Sequence, residues 1–155
     1  MHPFTIATGT MDYAQNTLIK IFTEKGIIGI GECSAFPMIV GETQNTCFEM
    51  AKDFAKLWKG KDALNIVERL NELHSFTEGN STIKSAFDMA LYDVAAQHAG
   101  LPLYEYLGGT KKDMLTDITV GIASPAIMAT QSKNFVNAGA TILKIKLGKD
   151  VATDV

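Results

Sequence analysis

The sequence has few of the features that mark secreted, membrane-spanning or nucleic-acid-binding proteins. Its two cysteines, Cys33 and Cys47, are too few for a disulfide framework and lack the spacing of metal ligands. No stretch approaches the roughly 18 consecutive apolar residues of a membrane span, and no basic segment followed by an apolar run opens the chain. The formal net charge is -3 and the lysines are scattered, which argues against nucleic acid or a membrane surface as partner. We therefore expect a reduced, cytoplasmic protein that binds a small molecule.

The N-terminal part of the sequence predicts an antiparallel hairpin. Two strand-like runs, residues 16–23 and 27–34, flank a short turn that contains Gly26. Gly29 and Gly31 share one face of the second run, which predicts the close approach of a helix or of another backbone. Because a hairpin alone is marginally stable, it requires a third strand or helices.

Apolar residues at helical spacing predict three helices after the hairpin. The first covers residues 43–58, and the second covers residues 63–74 with Asp62 as its N-cap. The third opens at Asn80 and is closed by Gly100. Its stripe, which we predict to be core, consists of Ile83, Ala86, Phe87, Ala90, Leu91, Val94, Ala95 and His98.

The C-terminal part changes to a strand, helix, strand pattern. Residues 116–122 and 140–147 are strand-like, and residues 125–138 are helical with Pro125 near the start. Such βαβ units form parallel sheets, and two parallel strands with one helix cannot cover both faces of a sheet. We therefore expect these residues to be part of a longer chain.

Two lysines, Lys144 and Lys146, share one face of the last strand because successive side chains in a strand alternate. In a water-poor pocket, desolvation and a neighbouring like charge both lower a lysine pKa, so that the amine can act as a base near neutral pH. Lysine is mostly exposed in proteins, however. Spacing alone therefore favours a surface strand with both ammonium groups in water.

Motifs along nearly the whole chain resemble those of one known family. In order they are Pro3-Phe4, Gly9-Thr10, Gly29 to Glu32, Ser85 to Asp93, Gly100 to Tyr104, Leu107 to Gly109, Thr116 to Val120 and Leu143 to Gly148. In this order and at these spacings the sequence resembles the muconate-lactonizing branch of the enolase superfamily. Within that branch it is most similar to the dipeptide epimerases, including the alanyl-glutamate epimerases.

The resemblance implies an α+β capping domain followed by the start of an α/β domain, a modified (β/α) barrel of the TIM type. Residues 1–110 correspond to the cap, with its first strand missing. Residues 111–155 correspond to the first strand, first helix and second strand of the barrel. A complete barrel needs about 250 residues, so the chain is expected to be truncated relative to the family.

The resemblance also implies a reaction, the epimerisation of a dipeptide by 1,1-proton transfer at the α-carbon next to a carboxylate. Lys146 corresponds to the general base, and Lys144 to a lysine that assists by position and charge. The family uses Mg²⁺, whose carboxylate ligands lie on later strands together with a second catalytic lysine. These groups are expected beyond residue 155, so no metal ligand is assigned in this sequence. A homo-oligomer is also expected.

Two cap loops and one barrel strand are implied to contact the substrate. The first loop, residues 7–12, has no cation, which weakens an assignment to alanyl-glutamate and leaves dipeptides with neutral or basic side chains. The second loop covers residues 36–42. Thr119 lies on the barrel strand, and its presence there is also explained by the preference of threonine for β-strands. The substrate-binding candidates in these elements are Thr8, Gly9, Thr10, Met38, Ile39 and Thr119.

Two other functions remain open. One is a related enzyme of the same branch, a cycloisomerase or an o-succinylbenzoate synthase, using the same lysines on a different carboxylate. The other is a non-catalytic product that binds a partner, in which the lysine strand has no chemical role.

Overall fold

The structure, a computed structural model, describes residues 4–148 and 151–154. The chain divides into two compact units. One is Gln15–Lys111, called here the helical unit; the other combines Met1–Ala14 with Lys112–Val155 and is called the lysine unit. Pro3 of the first motif, together with Lys149 and Asp150, lies outside the described residues. The division into domains at residue 110 stays a prediction.

The elements, in chain order, are short strands at the N-terminus, a hairpin, a group of helices and a βαβ unit. They are β1 (Phe4–Ile6), β2 (Gly9–Met11), β3 (Asn16–Phe22), β4 (Ile28–Ser34), α1 (Pro37–Val40), α2 (Gln44–Trp58), α3 (Ile66–Phe76), α4 (Ser81–Ala99), α5 (Leu103–Tyr106), β5 (Ile118–Val120), α6 (Pro125–Asn137), β6 (Leu143–Ile145) and α7 (Val151–Asp154).

The predicted hairpin is β3 paired antiparallel with β4, and α4 packs directly onto it. A Cβ atom added to Gly31 would lie 1.8 Å from the carbonyl oxygen of Ala86, and one added to Gly29 would lie 2.2 Å from that of Ala90. These distances are far below van der Waals contact, so only glycine permits this packing. The predicted close approach at both glycines is confirmed.

Side chains of α4 also satisfy the outer edge of β4. The Asp93 carboxylate accepts a hydrogen bond from the Ile30 backbone N–H at 2.8 Å, and the Gln97 amide donates to the Ile28 carbonyl at 2.8 Å. An unpaired strand edge is a site for aggregation, and these bonds occupy two of the backbone groups on this edge.

The core of the helical unit lies between the hairpin, α2, α3 and α4. Phe87 of α4 makes edge-to-face contacts with Phe54 and Trp58, at centroid distances of 5.4 and 5.1 Å. Such aromatic pairs contribute about 0.5–1.5 kcal/mol beyond the area that they bury. The predicted apolar stripe of α4 is buried as expected, except for His98, which is exposed.

Two local predictions about the helices are wrong. The second predicted helix begins at Ile66 rather than at residue 63, and Asp62 does not cap it. The Asp62 carboxylate instead accepts from the Leu64 backbone N–H at 2.9 Å, a bond two residues along the chain that stabilises a turn. The short helix α5 was not predicted.

The lysine unit contains two small sheets. β1 and β2 form an antiparallel hairpin, and β5 and β6 are parallel strands connected through α6, as the βαβ pattern predicted. Both parallel strands are shorter than predicted. Val120 is the one buried residue in the described part of this unit. Within residues 4–148 and 151–154, no helix has the length and apolar character needed to cross a bilayer.

Candidate active site

The candidate catalytic lysines lie at the carboxyl end of the parallel sheet. Lys144 of β6 pairs with Thr119 of β5 in the parallel register, so their side chains share one face. Lys146 follows two residues later and shares that face. Its backbone N–H donates to the Val120 carbonyl at 3.1 Å, which continues the pairing past the end of β6. Three of the predicted site residues are thus brought together.

The two faces of this sheet differ in what they present. Val120, on the face opposite the lysines, is fully buried. On the other face Lys144 is exposed, while Lys146 and Thr119 are half-buried. The amines are therefore accessible to a ligand, and the threonine hydroxyl lies on the same side.

The N-terminal hairpin lies against the ends of both parallel strands. The Ile122 N–H, just after β5, donates to the Thr5 carbonyl at 2.9 Å. A Cβ atom on Gly148, just after β6, would lie 3.7 Å from the Cβ of Ala7. The hairpin therefore belongs to the same compact unit as the lysines, although it comes more than a hundred residues earlier in the chain.

The predicted first substrate loop is a tight hairpin rather than an open loop. Its turn contains Thr8, whereas Gly9 and Thr10 belong to β2. The hydroxyls of Thr5 and Thr10 hydrogen-bond to each other at 3.0 Å across the strand pair. This bond, added to the backbone pairing, holds the hairpin in register.

The second predicted loop belongs to the helical unit and contains the one-turn helix α1. Met38 and Ile39 lie on this turn with 59% and 69% of their surfaces exposed. Large apolar side chains this exposed are available to contact a ligand or another part of the polypeptide.

Glu42, which ends this second loop, was not identified from the sequence as a functional residue. Its carboxylate oxygen Oε1 accepts from the backbone N–H and the hydroxyl of Thr82, both at 3.0 Å, and from the Ser81 hydroxyl at 3.3 Å. Oε2 accepts from the Cys47 thiol at 3.5 Å. Burial alone would raise the pKa of Glu42, but the hydrogen bonds from Thr82 and Cys47 outweigh burial and hold the pKa below its usual value.

Two further acidic residues, Glu32 and Asp88, interact with neighbouring side chains of the helical unit. The Glu32 carboxylate accepts from the Asn16 side-chain amide at 2.7 Å within the β3–β4 hairpin. Burial raises the pKa of Asp88, and the nearby His74 opposes this shift. No group of three His, Cys, Asp or Glu side chains suited to a metal ion occurs in the described part of the chain. The residues described here therefore do not make a magnesium site.

The two units together define a class of protein. A hairpin-and-helix α+β unit, followed along the chain by two parallel strands with a lysine pair at their carboxyl end, agrees with the capping domain and barrel start that the sequence resemblance implied. No closed barrel is present in the described residues.

Comparison with known proteins identifies the family. Residues 1–108 match the family described as mandelate racemase / muconate lactonizing enzyme, N-terminal domain. The chain belongs to this family, as the sequence motifs predicted.

Several characterised relatives are dipeptide epimerases. The D-Ala-D/L-Ala epimerase of Cytophaga hutchinsonii is 44% identical over 154 residues, which are 99% of this chain and 42% of that protein. The hydrophobic dipeptide epimerase of Enterococcus faecalis is 37% identical over 153 residues, or 98% of this chain and 43% of that protein. The chain thus spans less than half the length of these curated relatives.

A solved structure of one relative has a similar fold over nearly all of the matched residues. The crystal structure of a dipeptide epimerase from Cytophaga hutchinsonii, complexed with Mg and the dipeptide D-Ala-L-Val, gives a TM-score of 0.92 at 44% identity. The match covers 99% of this chain and 42% of that one.

Proposed function

We propose that these residues are part of a magnesium-dependent dipeptide epimerase, an isomerase acting at the α-carbon next to a carboxylate. The observation that carries the proposal is the placement of Thr119, Lys144 and Lys146 on one face at the carboxyl end of two parallel strands. In (β/α) barrels this end bears the active site. The identity with relatives named as dipeptide epimerases supports the same reaction class.

In the proposed reaction Lys146 is the general base. Its neutral amine takes the α-proton, and the electron pair of the broken C–H bond moves onto the carboxylate as an enediolate. Return of a proton to the opposite face of the α-carbon inverts its configuration. Lys144 lies two residues earlier on the same face of the strand. It adds positive charge beside the negative charge that develops on the substrate. In this proposal the Thr119 hydroxyl hydrogen-bonds the substrate.

The remaining groups of the reaction would come from other parts of the natural polypeptide. Relatives crystallise with Mg, whereas the described residues contain no set of metal ligands. We propose that the metal ligands and the second proton donor lie outside residues 1–155. We also propose that residues 1–110 belong to the cap and residues 111–155 to the start of the barrel. A cytoplasmic homo-oligomer is part of the same proposal.

We propose a dipeptide with neutral or apolar side chains as substrate. Thr8, Gly9 and Thr10 form a hairpin without a cation beside the ends of the parallel strands. Met38 and Ile39 offer exposed apolar surface in the second loop. The names of the Cytophaga and Enterococcus relatives, which specify alanyl-alanine and hydrophobic dipeptides, agree with this choice.

The test is exchange of the substrate α-proton in D₂O, followed by ¹H NMR, with the natural polypeptide that carries these residues. With Mg²⁺ and L-Ala-L-Ala we expect exchange and formation of the diastereomer, and loss of both when EDTA removes the metal. Lys146→Ala should lower the rate by about a thousandfold, since general base catalysis contributes roughly 10²–10⁴. Lys133→Ala, an exposed lysine on α6, is the matched control and should leave the rate unchanged.

Three outcomes would contradict this assignment. Exchange that survives Lys146→Ala removes the base from its role. Exchange of non-peptidic carboxylates but not of dipeptides would indicate another enzyme of the branch, such as a cycloisomerase or an o-succinylbenzoate synthase. A natural polypeptide that melts cooperatively but exchanges no carboxylate substrate would indicate a non-catalytic role.

A further inference from the structure

The second cap loop is anchored at its C-terminal end by a single buried carboxylate. Helix α1 ends at Val40, and its C-cap residue Gly41 has a left-handed φ of 72° and donates its N–H to the Pro37 carbonyl at 3.0 Å. Glycine reverses the chain here at little steric cost. The next residue, Glu42, is only 9% exposed. The chain therefore passes from the exposed Met38 and Ile39 to a buried charge within four residues.

That charge occupies the position of a helix cap. Asn80, the N-cap residue of α4, has a left-handed backbone and makes no side-chain capping bond. The carboxylate of Glu42, some forty residues away in sequence, accepts instead from the Thr82 N–H in the first turn. An anion at a helix N-terminus is stabilised both by these unpaired N–H groups and by the helix dipole. The 19-residue helix α4 thus holds Glu42 strongly.

The groups around Glu42 come from three elements. Ser81 and Thr82 of α4 donate to one oxygen, and Cys47 of α2 donates to the other. Cys33 of β4 is the next titratable group, in contact with Cys47. Both thiols are buried among apolar side chains, and burial followed by the neighbouring Cys33 raises the pKa of Cys47 to about 12. Glu42 is therefore the charged group of this cluster at neutral pH.

We propose that Glu42 is a positioning residue that fixes the loop carrying Met38 and Ile39 to the N-terminus of α4. The inference rests on the proposed function in one respect, namely that this loop contacts the dipeptide side chains. A loop held at one end by a charged hydrogen-bond cluster is pre-ordered, so the substrate does not have to order it on binding. Loss of the cluster should weaken dipeptide binding while leaving the proton transfer at Lys146 intact.

The experiment compares Glu42→Gln with Glu78→Gln in the natural polypeptide. Glu78 is an exposed residue of the α3–α4 turn, and its carboxylate has no hydrogen bond to any residue that the structure describes. It therefore controls for loss of negative charge near the same helix end. Glu42→Gln should raise KM for L-Ala-L-Ala about tenfold, with kcat changed less than twofold. The reason is that losing a hydrogen bond to a charged group changes an equilibrium constant by roughly a factor of ten. Glu78→Gln should leave both constants unchanged.

A second measurement separates this proposal from the assigned reaction. Amide hydrogen exchange of residues 37–43 and 82–84, followed by mass spectrometry, should be faster by about tenfold or more in Glu42→Gln, with the middle of α2 unchanged. Thr82→Val, which replaces the side-chain hydroxyl with a methyl group and so removes one hydrogen bond to Glu42, should shift both KM and exchange in the same direction by a smaller factor. If the polypeptide lacks epimerase activity, the exchange result still tests the anchor.

Two outcomes would overturn the anchor. One is a Glu42→Gln protein whose loop amides exchange as in the wild type. The other is a variant whose kcat falls as much as its kcat/KM while KM is unchanged, because that would place Glu42 in the chemical step. If Glu42→Gln does not fold, Thr82→Val alone decides between these results.

Discussion

The two compact units differ in how much of their own surface they bury. The helical unit has a continuous core in which Phe54, Leu73 and Ile83 are almost completely buried. In the described part of the lysine unit only Val120 is buried, and α6 buries no residue. The described part of the unit with the candidate catalytic residues therefore has almost no buried core. Parallel sheets are normally covered on both faces, whereas the described residues bury only Val120 of the lysine sheet.

The contrast is tested most severely by adding one methyl group to each unit. In Gly31→Ala the new Cβ would lie 1.8 Å from the Ala86 carbonyl oxygen, so β4 and α4 must separate. We expect a loss of about 3 kcal/mol in the free energy of unfolding, the upper end of the usual cost of overpacking a core. In Gly121→Ala of the lysine unit the nearest atoms lie at 3.4 Å, and stability should change little. Urea denaturation followed by circular dichroism measures both, and equal effects would refute the contrast.

A smaller loss is expected where a buried charge is neutralised. Glu42→Gln should lower the free energy of unfolding by about 1.5–3 kcal/mol at pH 7, the value of hydrogen bonds to a charged group. Because the folded pKa of Glu42 is lowered, its contribution is complete above the usual value of 4.5 and is lost as pH falls through the folded pKa. The wild-type and variant stabilities should therefore converge in acid. A difference that stays constant from pH 7 to pH 3 would contradict the role of the ionised carboxylate.

Truncation of Val120, the one buried residue in the described part of the lysine unit, should affect that unit only locally. Val120→Ala removes two buried carbon atoms. At about 0.8 kcal/mol for each, the free energy of unfolding should fall by about 1–2 kcal/mol. Hydrogen exchange should rise in β5 and β6 while the amides of α4 keep their protection. Faster exchange throughout α4 would show that the two units unfold together.

Much of the helical unit was predictable because its signals are local. Apolar spacing gave α2 and α4 nearly to their ends, and alternation with a glycine-containing turn gave the hairpin. The start of α3 was missed because the Asp62 side chain bonds the N–H two residues later and delays the helix. The short strands of the lysine unit were overestimated, since β-propensity gives no information on where pairing partners end.

The candidate site was predictable only in part. Strand alternation placed Lys144 and Lys146 on one face, and the parallel register added Thr119. The hairpin against the strand ends and the bonds of Glu42 to α4 join residues that are far apart in sequence, so no local pattern reveals them. The substrate contacts of Met38, Ile39 and the Thr8–Thr10 segment remain predictions.

A second carboxylate of the helical unit should give an effect of the opposite sign to that of Glu42. Burial raises the pKa of Asp88, partly offset by His74, and its Oδ1 atom is buried without a hydrogen-bond partner among the described residues. A carboxyl group with a raised folded pKa favours the fold below its unfolded pKa, and this contribution is lost as pH rises through the folded value. Asp88→Asn should therefore stabilise the protein at pH 7, by about 0.5–1 kcal/mol. A thermal melt that shows destabilisation at pH 7 but not at pH 4 would contradict the sign.

Thiol chemistry reports on the helical unit alone, because both cysteines lie in it. Cys33 and Cys47 are buried, and burial followed by the neighbouring Cys33 raises the pKa of Cys47 to about 12, so almost no reactive thiolate of Cys47 forms at pH 8. Native protein should react with iodoacetamide only through opening of this unit, and the labelling rate should then follow the equilibrium population of the open form. Gly31→Ala should accelerate labelling strongly, whereas Val120→Ala should leave it unchanged. If Val120→Ala accelerates it equally, the lysine unit contributes to the stability of the helical core, and the two units cannot be treated as energetically separate.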